Sequence, residues 1–218
     1  MAICYARLEF VKRSVGKNMV LKSAYNAKTS LKFNGNCVLP EAVYTWTVKR
    51  GEKPISYEIL LPKHVDIAFR NPEMLWNYAE SFEKRKDSQV GIEVLLALPD
   101  DKIISDDQRI EMAHGFAEKH FISKGYGVQV DIHPPSQRKS YEIDLNEEEE
   151  VNEKNIHAHL LVTARSFSDN GKEFNKKKAN DITPEVRGSN HFAFGGIGGQ
   201  HRIRIIKHVK DFSAPVMV

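Results

Sequence analysis

The chain has 218 residues, with 32 Lys and Arg against 29 Asp and Glu, nine His, two Cys and a formal net charge of +3. Hydrophobic residues at 41% and charged residues at 28% are ordinary globular values, which excludes a disordered chain or a fibre. A chain of this length buries a core without staples, so Cys4 and Cys37 need no bridge, and their scarcity suits a reducing cytosol. No apolar run nears the ~20 residues of a membrane helix, Met1 to Arg7 is too short and too quickly charged for a signal peptide, and +3 is too weak a charge to mark a nucleic-acid binder.

The first predicted element is a strand over Ala2–Phe10, ahead of the basic pair Lys12-Arg13 and broken by Gly16. A short helix is predicted from Asn18 to Lys28, with Asn18 as its N-cap. Residues 34–56 hold two glycines and two prolines among scattered β-formers and read as a loop with a hairpin arm. Asn71-Pro72 opens a second helix, whose Leu75, Tyr78, Ala79 and Phe82 form an apolar stripe. Ile92–Leu98 reads as a buried strand ended by Pro99. Ser105 and Gln108 then form a capping-box pattern before a third helix carrying Ile110, Ala113, Phe116, Ala117 and His120, and Gly125 is its stop. A strand over Tyr126–His133 alternates Val128, Val130 and Ile132 with Gln129, Asp131 and His133. A polar loop with the acidic run Glu147–Glu150 leads to a strand over Ile156–Ala164. Strands alternating with helices imply one sheet covered by helices. The chain beyond Asn170 is Lys-rich and then Gly-rich, and reads as a loosely ordered C-terminal part of the same domain.

Histidine placement is the informative feature. Period-two geometry sends His157 and His159 to one strand face, about 7 Å apart at their backbones. His133 closes the preceding strand on its polar face. If the two strands are neighbours, three imidazoles meet at one end of the sheet and leave open positions on a divalent metal. Asp131 and Thr163 are possible supporting partners. A histidine in a strand is more often a structural residue than a ligand, and H-x-H alone does not separate zinc hydrolases, 2-His-1-carboxylate oxygenases and other metal enzymes. The remaining histidines fit no such geometry.

Asn155 to Arg165 closely resembles the H-x-H signature of MobA/MobL-type relaxases, related to the relaxase portion of TraA-like conjugation proteins and to HUH-type endonucleases generally. Trp76-Asn77-Tyr78-Ala79-Glu80 is similar to the family's central helix, Ile92 to Pro99 to its strand before a proline, and Asp131-Ile132-His133 to the segment with its first histidine. Arg13-Ser14-x-Gly16 with Ser23-Ala24-Tyr25 resembles its start. The resemblance covers roughly residues 1–178, taken as the catalytic domain, with 179–218 as a segment of uncertain order belonging to it. It implies an α+β fold with a central antiparallel sheet flanked by helices.

On activity, the resemblance implies nicking and rejoining of single-stranded DNA at an origin of transfer through a 5′-phosphotyrosine. Tyr25 would be the nucleophile, His133, His157 and His159 the ligands of Mg²⁺ or Mn²⁺, and Glu93 a carboxylate supporting a histidine or the tyrosine. From the residues alone, Tyr25 is no better than Tyr5 or Tyr44, and Glu93 fits an exposed sheet face equally well. Arg13, Lys17, Lys22 and Lys28 around the nucleophile, and Lys176 and Lys177 further on, are candidate phosphate contacts, although lysine runs are usually solvated surface. Trp46 and Tyr44 are candidate base-stacking residues and fit packing in the core equally well. The resemblance further implies accessory mobilisation proteins, a type IV secretion coupling protein, and a bacterial cytoplasmic protein carried over with the DNA. The loop between His133 and His157 is longer than the family's, and the Gly195–Gly199 segment replaces its Trp-rich helix. One catalytic domain of a longer protein is expected. Competing readings are a DNA-binding remnant of a mobile element and a rolling-circle HUH endonuclease; the latter carries its tyrosine after the histidines, whereas here Tyr25 precedes them.

Overall fold

The computed structural model describes residues 6–46, 53–99, 104–135, 156–178 and 201–203. In chain order the elements are β1 (Ala6–Lys12), α1 (Met19–Ala27), β2 (Leu31–Phe33), β3 (Ala42–Tyr44), β4 (Ser56–Leu60), α2 (Pro72–Phe82), β5 (Gln89–Ala97), α3 (Asp106–His120), β6 (Val128–His133), β7 (His157–Thr163) and β8 (His201–Ile203). Six strands make one antiparallel sheet in the order β4-β6-β7-β5-β1-β8, and β2 with β3 forms a separate hairpin. The class is the expected α+β, a central antiparallel sheet with helices on both faces.

Local chemistry sets the helix ends. The Asn18 side chain accepts from the Leu21 N–H at 2.7 Å, and α1 stops where Lys28 turns left-handed, with φ of 51°. Asn71 caps α2, and both halves of the Ser105–Gln108 capping box are made. In α2, Leu75 and Ala79 are buried as the stripe predicts, but Trp76 joins them in full burial, while Tyr78 and Phe82 lie half-buried among Phe69 and Phe174. The helix is covered on two sides, so its buried surface is wider than one stripe. A hairpin is present but begins earlier than the predicted arm: β3 falls within residues 34–56, whereas its partner β2 precedes them. Strand β4 lies outside every predicted element: it is an edge strand with Tyr57 and Glu58 exposed, so it carries little apolar alternation. The acidic run Glu147–Glu150 and the Gly195–Gly199 segment lie outside the described residues.

The sheet is buried on both sides. On one face α3 places Ala113, Phe116 and Ala117 against the apolar residues of β5, β6 and β7. On the other, Met19, Val20 and Ala24 of α1 and Leu75 and Trp76 of α2 pack with Val11 and Leu161. Each fully buried side chain of this size is worth roughly 1.5–3 kcal/mol, so the central strands form a firm floor. Gly91 lets α1 come close: a Cβ there would lie 2.4 Å from the Met19 Sδ and 3.0 Å from the Val162 carbonyl oxygen.

Candidate active site

Strands β6 and β7 are neighbours, in a register that sets His133 opposite His157 and Asp131 opposite His159. Their side chains rise on the α1 face. The three imidazoles form one cluster, with ring centroids 5.6 Å apart for His133–His157, 5.2 Å for His133–His159 and 5.1 Å for His157–His159. His133 hydrogen-bonds the Asn26 backbone, and burial, reinforced by His159 and His157, pushes its imidazole down to about 3. It is therefore neutral at pH 7.

Glu93 of β5 is buried on the same face, which settles its position: it does not face solvent. Its Oε1 lies 3.0 Å from the His159 Nδ1 and accepts from the Asn26 Nδ2 at 3.3 Å, while Oε2 pairs with the Lys22 ammonium. Burial by itself would raise this carboxyl, but the His159 hydrogen bond and the Lys22 charge outweigh it and hold Glu93 well below the usual carboxylate range. An ionised carboxylate only accepts, so the Nδ1 of His159 is the donor in their bond.

Tyr25 lies on α1 between the two residues that reach Glu93. It is half-buried, edge-on to Trp46 at 4.9 Å, with the Lys28 Nζ 3.8 Å above its ring centre. Lys28 and Trp46 thus frame the phenol. Tyr44 does not stack outward from the arm: its hydroxyl accepts from the Asn18 Nδ2 at 2.9 Å and its ring stacks on Phe33.

Beneath this cluster runs a polar network that single-sequence reasoning missed. The Gln129 Oε1 accepts from the Ser23 hydroxyl at 2.7 Å and the Trp76 Nε1 at 2.6 Å, and its Nε2 donates to Asp131 at 2.9 Å. The one available signal was the alternation in β6, which placed Gln129 and Asp131 on the histidine face without naming what covers them. Burial pushes the Asp131 carboxyl well above its usual range. The folded chain therefore keeps a proton between about pH 4 and that raised value, where the unfolded chain has lost it, and stability falls as pH rises through this window. Asp131→Asn is expected to be more stable than the parent at neutral pH, with a gap that widens by at most about 1.4 kcal/mol per pH unit. Urea melts of both proteins from pH 4 to 8 check this; a gap independent of pH would mean that Asp131 is ionised.

The candidate phosphate contacts divide. Arg13 is a correction: only 1% exposed, it pairs with Glu80 at 3.0 Å and donates to the carbonyls of Glu80, Glu83 and Arg85, so no hydrogen-bonding edge is left for DNA. Lys17 pairs with Glu9 and Lys22 with Glu93. Lys176 and Lys177 are exposed, but next to them Lys178 donates to the Gln89 carbonyl. That is the far end of β5 from His157, which pairs with Ala97, about 25 Å along the strand.

The donor chemistry fits a divalent metal. A ligating histidine commonly donates its other ring N–H to a carboxylate or a backbone carbonyl, as His159 does to Glu93 and His133 to Asn26. The His133 Nε2 is buried and has no hydrogen-bond partner among the described residues. Among those residues no three His, Cys, Asp or Glu side chains already converge as a ligand set; His133 and His157 instead stack ring on ring at 10°.

The chain is 27% identical over 188 residues to the conjugal transfer protein TraA of Agrobacterium fabrum, a match covering 82% of this chain and 15% of that protein. It is 25% identical over 123 residues to a probable mobilization protein MobA of Bifidobacterium longum, covering 56% of this chain and 19% of that one. The matched segments thus cover less than a fifth of the length of these curated relatives. A solved structure described as the molecular basis of vancomycin resistance transfer in Staphylococcus aureus superposes with a TM-score of 0.61 at 29% identity, covering 83% of this chain and 79% of that one. The MobA/MobL family matches residues 17–208, most of the chain and every element of the site just described, and the chain belongs to that family.

Proposed function

We propose that this chain is a relaxase domain, which nicks and rejoins single-stranded DNA at an origin of transfer and so starts conjugative transfer of a plasmid or mobile element. The observation that carries the reading is the single cluster of Tyr25's helix, Glu93 and three histidines: Lys22 and Asn26 of α1 bind the carboxylate that also binds His159. Competing tyrosines are less suited. Tyr44 is hydrogen-bonded to Asn18, Tyr78 is packed among phenylalanines, Tyr126 is fully buried, and the Tyr57 hydroxyl, partly desolvated although the side chain as a whole is exposed, is pushed up to about 12 with the help of Asp131.

In the reaction the Tyr25 Oη bonds to the scissile phosphorus as the bond from phosphorus to the 3′ oxygen breaks. The phenol gives up its proton and a proton ends on the 3′-hydroxyl. The phosphodiester energy is kept in the 5′-phosphotyrosine, so rejoining needs no ATP. A phenol with a reference pKa of ~10 is a weak nucleophile, and the phosphate charge must be offset for attack to proceed. Mg²⁺ or Mn²⁺, held by His133, His157 and His159, supplies that offset when bound. Lys28, above the Tyr25 ring, adds positive charge where the phosphate approaches. Trp46 offers a face to an adjacent base.

The substrate is single-stranded origin DNA, and accessory mobilisation proteins and a type IV secretion coupling protein are the proposed partners in the bacterial cytoplasm. No helix among the described residues is long and apolar enough to cross a membrane. The test is incubation of the protein with labelled single-stranded origin oligonucleotides and Mn²⁺, followed by a denaturing gel. A covalent adduct is expected from the parent, and His157→Ala is expected to lower its rate by about 100-fold or more. Full activity of His157→Ala would remove the metal site. DNA binding with no adduct would favour the mobile-element remnant instead.

A further inference from the structure

We propose that Lys22 and Asn26 are positioning residues that hold Tyr25 against the histidine cluster through one shared carboxylate, Glu93; this rests on the relaxase reading above. The two residues are i and i+4 on α1 and so share one helix face, with Tyr25 between them in sequence. Each grips a different oxygen of Glu93. Lys22 takes Oε2, and Asn26 takes Oε1, which also receives the His159 Nδ1–H. The Asn26 backbone in turn binds His133. The helix that carries the nucleophile is therefore registered to His159 of β7 through the Glu93 side chain and to His133 of β6 through its own backbone. Sliding α1 along the sheet would break contacts to both strands at once.

The charge pattern explains why a lysine is needed. Glu93 faces Glu9 across the β1–β5 pair, and like charges directly opposite are unfavourable in a sheet. Each carboxylate is met by a lysine from the same stretch of chain, Glu9 by Lys17 and Glu93 by Lys22. The Lys22–Glu93 pair is the buried one: Lys22 is 24% exposed and Glu93 9%, against 42% and 32% for Lys17 and Glu9. Moving Lys22 out to a DNA phosphate would leave a buried carboxylate oxygen unpaired, which the partly exposed Glu9 could tolerate and Glu93 could not. Asn26 is fully buried, and its amide orientation follows from the carboxylate, which accepts and so must face Nδ2.

The test compares the parent with Lys22→Met, Lys22→Arg, Glu93→Gln and the Lys22→Met/Glu93→Gln double variant. It reads single-turnover adduct formation at saturating DNA, the salt dependence of DNA binding, and the imidazole ¹⁵N spectrum of the metal-free protein. Lys22→Met is expected to slow adduct formation by about 10–100-fold with DNA affinity and its salt slope unchanged, and Lys22→Arg to recover most of the rate. In the Glu93→Gln background Lys22→Met should add no further loss. A normal saturating rate with weaker binding and a salt slope smaller by about one would show a phosphate contact and overturn the proposal; so would additive losses in the double variant. If the parent forms no adduct, the relaxase reading fails, and the spectrum decides the positioning role separately. A shifted His159 Nδ1 resonance in Lys22→Met supports it, and an unchanged one overturns it.

Discussion

Tyr25→Phe is expected to abolish the covalent protein–DNA adduct, lowering its rate by at least about 10³-fold, while single-stranded DNA still binds. The substitution removes one hydroxyl and little else. The phenyl ring keeps its edge contact with Trp46 and its place under the Lys28 ammonium, so the local packing that holds α1 is preserved. A merely structural tyrosine would lose no more than a few-fold. The measurement is adduct yield over time on a labelled oligonucleotide, with Kd from fluorescence anisotropy as the control for binding. An adduct that persists in Tyr25→Phe would reject Tyr25 as the nucleophile and return the assignment to Tyr5, Tyr141 or another tyrosine.

The second large effect concerns stability. Arg13→Met is expected to destabilise the fold by about 3–5 kcal/mol, because it strands the buried Glu80 carboxylate and three carbonyls that the guanidinium satisfies. At this chain length that lowers Tm by roughly 10 °C. Glu80 also accepts from the Met19 N–H at 2.8 Å and the Asn36 amide at 3.0 Å, so the pair ties the start of α1 and the hairpin to α2. Replacing both partners, as Arg13→Met with Glu80→Leu, should recover part of the loss, since the uncompensated charge is gone. Thermal melts of the three proteins test this. A phosphate-binding arginine would behave in the opposite way: near-parental Tm, with a shallower salt slope for DNA binding.

The helix boundaries were legible because their causes are local. Asn18, Asn71 and the Ser105–Gln108 box each act within four residues, and the chain order alone locates them. The edge strand β4 was not legible, because its pairing with β6 comes from a partner some 70 residues away, for which its own composition gives no sign. Basic residues were the hardest to place. Arg13, Lys17 and Lys22 lie within ten residues of one another in a basic stretch, yet one is sealed against Glu80, one pairs at the surface with Glu9, and one meets Glu93 under a helix.

The sequence by itself determined that His157 and His159 share a face, since strand geometry admits no other outcome, and that His133 ends a polar row on another strand. It also determined that Glu93 opposes Ile92 and Val94. Only the tertiary structure decided that these rows meet. The order β6-β7-β5 puts His133 beside His157 and brings Glu93 to His159, and α1 lies over them rather than over the α3 face. The reason is one of range: side-chain alternation is fixed by the backbone of a single strand, whereas strand order and the seating of a helix depend on what every other segment must bury. Whether Glu93 was an exposed carboxylate or the hub of a site rested on that second kind of information, and Lys22 and Asn26 are the residues that decide it.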